Sequence, residues 1–256
     1  MTILCYHAVE PDWNSPLAME PQAFRQHCDW LNRRTTVVPL QQAVSRLDRS
    51  GRLPRGLTAI TFDDGFSGLY SHAGPVLSRL AMPATVFLVA RTLTGTGHPV
   101  DWVDTPPPFP LTTLSLDQVC EMQSQGISFE SHSFSHADLT QMSFEDCVID
   151  LRESRELLES LLGRRVRLLA YPRGRHNDAV RVAAERAGYS HAFTLPESRE
   201  IGGPFSIPRV GVYRGNGLTH LRLKSTRPYL RVRTGGAYQL ARHAVRSTRK
   251  ASSGRT

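Results

Sequence analysis

Two carboxylates stand side by side at Asp63 and Asp64, closing an apolar run over residues 57–62 and followed by Gly65. Side chains alternate faces along a strand, but where the chain turns at a strand end both can reach one cleft. Like charges this close raise each other's pKa unless a cation lies near them. A metal ion meets that need, with one carboxylate as a ligand and the other free as a base. A polar Asp-Asp-Gly turn without chemistry is the plain alternative.

Two imidazoles, His132 and His136, follow a second strand-like run at 127–130. On a helical turn, positions four apart share a face, so both rings can bind one ion. Two histidines and one carboxylate leave coordination positions open for water and substrate. His7 closes a third short run, 2–6, and an imidazole can hold a proton near neutral pH, which suits a general acid. Each histidine alone reads equally well as a hydrogen-bonded surface or strand-end residue. The strand-DDG and strand-HSxxH pair is more specific than either part. Ser133 is expected to hydrogen-bond within its turn, since no Ser-His-Asp arrangement is needed.

The elements that must position these groups follow a strand-helix-strand rhythm. Strands are expected at 2–6, 35–40, 57–62, 84–90, 127–130, 167–171, 189–195 and 207–212. Helices are expected from Pro21, over 41–49, 68–80, 115–125, 143–162 and 178–187. Apolar residues at helical spacing (Phe24, Cys28, Leu31; Cys147, Leu151, Leu158, Leu162) support them. This alternation is the signature of an α/β fold with a parallel sheet. In a βα barrel, catalytic groups gather at the C-terminal strand ends, where His7, Asp63, Asp64, His132 and Arg173 all stand. The long stretch 91–114, with prolines at 99, 106, 107, 108 and 110, reads as a wall of a binding cleft. Trp102 within it could offer an aromatic platform to a sugar ring or simply pack on the surface.

The stretches Thr61-Phe62-Asp63-Asp64-Gly65 and His132-Ser133-Phe134-Ser135-His136 resemble the first two motifs of the polysaccharide deacetylase (NodB-like, carbohydrate esterase family four) family. The likeness extends to Ala170-Tyr171-Pro172-Arg173-Gly174 and to Ile3-Leu4-Cys5-Tyr6-His7, and covers residues 1 to about 215. The opening resembles the circularly permuted branch found in poly-N-acetylglucosamine deacetylases, where a histidine usually near the C-terminus comes first. The resemblance implies a distorted (β/α) barrel of about seven strands. It assigns Asp64, His132 and His136 to a divalent metal, with zinc expected, and Asp63 to the general base. It also implies an N-acetylated glycan substrate; Tyr171 and Pro172 of the third motif, together with the Trp102 platform noted above, are the candidate contacts.

One departure stands out in the third motif. Ala170 occupies the place of the family's arginine, and Arg173 that of an aromatic residue. The guanidinium that positions the base must then come from Arg173 or from Arg209, and Arg209 is favoured because it lies in a strand-like run. The backbone N–H of Arg173 can still serve as an oxyanion donor. Hydrolysis of another amide or of an O-acetyl ester on the same site, or glycan binding by a dead site, are the competing readings. The intact set of acids and histidines speaks against the dead site.

Composition sets the remaining bounds. An apolar share of 40% suits a globular core. No run of ~18 apolar residues is present, so no membrane-spanning helix is expected. No basic segment leading into an apolar stretch opens the sequence, which points to a cytoplasmic protein. Four cysteines lie far apart with no CxxC pair, so they are expected to be buried apolar residues rather than a zinc site or disulfide framework. The net charge is +8, yet residues 222–256 alone carry eight Arg and two Lys with no acidic residue, leaving −2 for the rest. The division expected is therefore a catalytic domain over 1–221 and a basic tail over 222–256. Such a tail is either simply solvated or attached to an anionic membrane at its inner face, with 237–249 as a basic amphipathic helix. No helix-turn-helix, zinc module or basic sheet with interleaved aromatics is present, so nucleic acid is not an expected partner.

Overall fold

The computed structural model describes residues 2–51, 56–94, 100–196 and 202–234. Its elements run β1 (Thr2–Tyr6), β2 (Ala8–Val9), β3 (Ala18–Met19), α1 (Pro21–Arg34), β4 (Thr36–Val37), α2 (Leu40–Ser50) and β5 (Leu57–Phe62). They continue with α3 (Gly74–Arg79), β6 (Ala84–Leu88), α4 (Leu116–Ser124), β7 (Ser128–Ser131), α5 (Phe144–Leu162), β8 (Leu168–Ala170), α6 (Asp178–Arg186) and β9 (His191–Thr194). β10 (Ile207–Pro208), β11 (Val210–Gly211), α7 (Leu218–Lys224) and α8 (Arg227–Thr234) complete the described chain.

All the strand pairings are parallel, in the order β10-β9-β8-β7-β6-β5-β1-β11, with β4 beside the start of β5. β10 and β11 are one stave interrupted at a single residue, Arg209. Its first half pairs with β9 and its second with β1, so the sheet returns on itself. The result is a distorted (β/α) barrel whose seven staves are β1, β5, β6, β7, β8, β9 and the broken β10–β11.

The period of two along each strand sorts side chains between inside and outside. Leu4, Tyr6, Ile60, Phe62, Val86, Leu88, Phe129 and Leu169 face the helices and form the larger core. Ile3, Ala59, Phe87, Leu168, Ala170, Phe193 and Ile207 fill the barrel floor, which α2 closes with Leu40, Ala43 and Val44. Two residues further along the inner rows of β1, β5 and the last stave stand Cys5, Thr61 and Arg209, and four further along the first two stand His7 (from Ile3) and Asp63 (from Ala59). The same rows thus supply an apolar floor and a polar rim.

Several local expectations change. The strand expected over 35–40 shrinks to β4, because Pro39 ends it and Leu40 opens α2. The helix expected over 68–80 begins as a wide π turn at Leu69–Ala73 before α3, since Pro75 lacks the N–H a tighter turn would use. Cys120 is exposed on the outer side of α4, unlike the three buried cysteines. The expected boundary between 221 and 222 falls inside α7. That helix is tied to the barrel by buried Leu221, by Lys224 donating to the Gly211 carbonyl (2.7 Å), and by Thr2 Oγ1 donating to the Ser225 carbonyl (3.1 Å). The helix expected over 237–249 lies outside the described residues. Among the described residues, no helix is long and apolar enough to cross a membrane.

Candidate active site

The chain leaves β5 with Asp63 still on the ladder, its N–H donating to the Tyr6 carbonyl (3.0 Å). Asp64 and Gly65 then take the left-handed conformation, φ 69° and 68°. Gly65 is required twice over, because a Cβ there would also lie 2.7 Å from Leu88 Cδ2. This turn sends the two carboxylates to different partners.

Asp63 is buried and faces Arg209, which donates from Nη1 to Oδ1 (2.6 Å) and from Nη2 to Oδ2 (2.7 Å). The Cys5 thiol adds a bond to Oδ2 (3.3 Å). Burial alone would raise the Asp63 carboxyl, but the Arg209 guanidinium outweighs it and holds it well below the usual carboxylate range. Asp64 takes Oδ1 towards His136 Nε2 (3.1 Å) and His132 Nε2 (3.7 Å), and accepts the Trp102 indole N–H (3.0 Å). Its carboxyl is also lowered, burial being outweighed by the two histidines.

The histidines do not share a helical turn, as the spacing suggested. They sit on a loop in which Ser133 (φ 67°) and His136 (φ 59°) are left-handed, and this brings their rings to 5.1 Å in an edge-to-face arrangement. Ser133 does bond within the turn, its Oγ accepting the His136 N–H (2.9 Å).

His132 tests whether these residues fit an ion. Its Nδ1 lies 2.8 Å from the Ala170 carbonyl oxygen, which can only accept, so Nδ1 carries the proton. Burial lowers the ring's pKa to about 4, so it is neutral at neutral pH. Its Nε2 lone pair therefore faces an Asp64 oxygen at 3.7 Å, too long for a hydrogen bond and repulsive without a cation between them. Donor atoms of Asp64, His132 and His136 all lie within 4.8 Å of one another, a set that fits a divalent ion. Cys5, His7 and Asp63 form a second such group among the described residues. There Arg209 already occupies both Asp63 oxygens, which leaves that group poorly suited to a cation.

These residues open into a cleft of about 290 Å³. His7 lies at its edge with Nδ1 buried and unpartnered, and its ring stacks on Tyr213 at 6.2 Å. Trp102 forms part of the wall, stacked on His136 at 4.8 Å. The 100–113 segment that carries it is pinned by Trp13 Nε1 donating to the Thr105 carbonyl (2.7 Å).

The polysaccharide deacetylase family profile matches residues 50–192. The chain belongs to the polysaccharide deacetylase family. YxkH of Bacillus subtilis is 28% identical over 220 residues, covering 84% of this chain and 72% of that protein. The poly-beta-1,6-N-acetyl-D-glucosamine N-deacetylase of Staphylococcus epidermidis is 28% identical over 200 residues, covering 74% of this chain and 66% of that enzyme's length. In fold, the chain is similar to the Streptococcus pyogenes deacetylase PplD, solved with acetate, at a TM-score of 0.74 and 24% identity over 88% of this chain and 98% of that one.

Within this family member the third motif departs in a structurally legible way. Of the two arginines considered for Asp63, Arg209 makes the contact. The Arg173 guanidinium does not reach Asp63; it donates to the Trp102 carbonyl (3.0 Å) and approaches Asp104 (3.4 Å), so it braces the cleft wall. Arg173 is left-handed (φ 57°) at the tip of a tight turn and its residue lines the cleft. Tyr171 and Pro172, expected to touch substrate, are buried instead. The Tyr171 hydroxyl donates to the Phe205 carbonyl (3.0 Å) because the side chain continues the outward row of β8. Sequence reasoning missed Tyr213, which lies two residues past β11 at the same barrel end; that position was the signal.

Proposed function

We propose that this protein is a metal-dependent deacetylase that hydrolyses the N-acetyl amide of an N-acetylated glycan, with poly-N-acetylglucosamine as the first substrate to test. The observation that carries the reading is the convergence of an Asp64 oxygen with His132 Nε2 and His136 Nε2, all within 4.8 Å of one another, at a cleft that these residues line. Asp64, His132 and His136 would hold the ion, with zinc expected from the nitrogen-rich donor set. A bound divalent ion would acidify water and polarise the amide carbonyl.

The chain's own groups then divide the remaining work. Asp63, kept ionised and oriented by Arg209, takes a proton from the attacking water. His7, whose ring lies within 4.8 Å of an Asp63 oxygen, gives a proton to the departing amine nitrogen, so that water and amide become acetate and a free amine. The Arg173 N–H, at the tip of its turn, serves the developing oxyanion. Trp102 and Tyr213 line the cleft in which the sugar would sit.

The test is acetate release over a panel of N-acetylated oligosaccharides of different linkage, with O-acetylated sugars alongside, before and after chelation. Release from an N-acetylated member, abolished by chelator and restored by a divalent ion, is expected. Release from O-acetyl esters alone, or activity indifferent to exhaustive chelation, would overturn the reading.

A further inference from the structure

The loop that carries His132 and His136 is held in a conformation its sequence does not favour. Ser133 and His136 are both left-handed, a region unfavourable for a non-glycine residue. Such a conformation persists only where surrounding bonds over-determine it. On one side, the Ser133 and Phe134 carbonyls accept the N–H groups of Ala90 and Arg91, both at 3.1 Å. On the other side, α5 passes behind the loop and extends one acidic side chain to it. Asp150 is 7% exposed. Its Oδ1 accepts the Phe134 N–H (2.9 Å) and its Oδ2 the Ser135 N–H (3.1 Å). The two amides it binds lie between the two histidines in sequence. Ser131 Oγ accepts the Ser133 N–H (3.3 Å) and is itself held by Ser154 on α5 (2.8 Å) and by the Tyr189 hydroxyl (2.7 Å).

We infer that Asp150 is a positioning residue for the metal-binding histidines. It clamps the peptides between them and so fixes where His136 Nε2 stands relative to Asp64. The inference rests on the reading of Asp64, His132 and His136 as the metal site. The chemistry favours a carboxylate at this position for a specific reason. Two adjacent N–H donors that point the same way need two acceptor atoms on a rigid fork, and an ionised carboxylate offers both. Asparagine has almost the same shape but one acceptor, so its amide nitrogen would face an N–H. The loop would then lose one of its clamps and relax away from the left-handed geometry. The effect at the ion would be a looser site rather than a missing ligand. Partners of this kind, one step removed from the ion, typically change metal affinity by about 10- to 100-fold.

The experiment measures zinc and cobalt affinity by competition with a chromophoric chelator, and records the visible spectrum of the cobalt-loaded protein. Wild type is measured first, and failure to bind one ion would sink the metal-site reading itself. With binding established, Asp150→Asn should weaken affinity by about 10- to 100-fold and shift the cobalt spectrum. Leu158→Ala, a buried change on α5 away from the loop, should lower stability yet leave affinity and spectrum unchanged. Asp150→Glu keeps two acceptors on a longer arm and should fall between wild type and Asp150→Asn, which also provides a reading if the asparagine variant does not fold. If both Asp150 variants bind metal as tightly as wild type with the same cobalt spectrum, Asp150 is a structural residue only and the inference fails. The same holds if Leu158→Ala shifts affinity as much as they do.

Discussion

Asp63 and Arg209 meet through two parallel hydrogen bonds of 2.6 and 2.7 Å, both side chains buried, at the one residue where the last barrel stave is broken. Pairing passes from β9 to β1 across Arg209, whose own N–H still donates to the Thr194 carbonyl (3.0 Å), and its side chain turns into the barrel towards Asp63. Fork-to-fork geometry of this kind is specific to arginine. Arg209→Lys keeps the charge but offers Asp63 one donor direction, so the carboxylate should lose its orientation. Activity should fall by roughly 100-fold, as a displacement of about 1 Å at a reacting group can cost. Steady-state kinetics of the folded variant check this, and unchanged kcat would separate the fork from catalysis.

Asp63→Asn tests the carboxylate itself. The amide preserves shape and removes the proton acceptor, so the rate should drop by ~100- to 10,000-fold. Bound metal, measured on the purified protein, should stay at the wild-type level, because Asp64 and the two histidines are untouched. Near-normal turnover would move the base elsewhere, with the neighbouring His7 the next candidate. The variant also leaves Arg209 buried beside a neutral partner, and breaking such a pair costs about 3–5 kcal/mol, so activity must be compared at a temperature where both proteins are folded.

Much of this site is legible in the sequence because strand periodicity and strand ends carry it. His7 and Asp63 lie four residues along inward rows, so an observer who places β1 and β5 has placed both side chains. Arg209 is legible for the same reason, as the inward residue of a strand-like run. The approach fails where the backbone leaves regular geometry. The four-residue spacing of His132 and His136 suggests a helical turn, whereas a loop with two left-handed residues carries them, its Phe134 and Ser135 N–H groups bound by Asp150 of the following helix. Asp150 has no local signature because its role depends on how α5 docks behind β7. Tyr171 shows the opposite error: a motif position implied contact with substrate, while its row along β8 turns it into the core.

His27 supplies a pH dependence that is independent of the cleft. It is buried on α1 with Nδ1 3.1 Å from the Tyr6 hydroxyl, and burial lowers its pKa to about 4. In the unfolded chain the ring titrates near 6.5. Between these values the unfolded state binds the extra proton, so stability rises with pH across the window and is lost as pH falls through it. The loss should reach roughly 3 kcal/mol by pH 4 from this group. His27→Gln, whose amide oxygen can still accept from Tyr6, should flatten the slope relative to wild type. Urea unfolding at several pH values between 4 and 7 measures it, and identical slopes in the two proteins would assign the acid sensitivity to other groups.

The basic C-terminal segment leads to the last prediction. Ten positive charges and no negative one fall in residues 222–256. They are not equivalent. Lys224 is engaged inside the fold with the Gly211 carbonyl and Asn216, and burial lowers its pKa to about 8. Tyr229 of α8 packs on the main core. The charges available to a partner without disturbing the barrel are therefore best isolated by removing residues 235–256, which hold four Arg and one Lys. Each basic residue near an anionic membrane surface is worth about 1 kcal/mol, so five would give appreciable attachment at low ionic strength. The full chain should cosediment with phosphatidylserine-containing vesicles and be released as salt is raised, because screening shortens the reach of these charges. The chain lacking 235–256 should stay in solution and retain its activity on a small soluble substrate, since the cleft-lining residues among those described all precede residue 235. If the full chain ignores anionic vesicles at low salt, the segment is a solvated tail. If the shortened chain binds as well as the full one, the contact belongs to another surface, with exposed Leu223 and Val232 the place to look next.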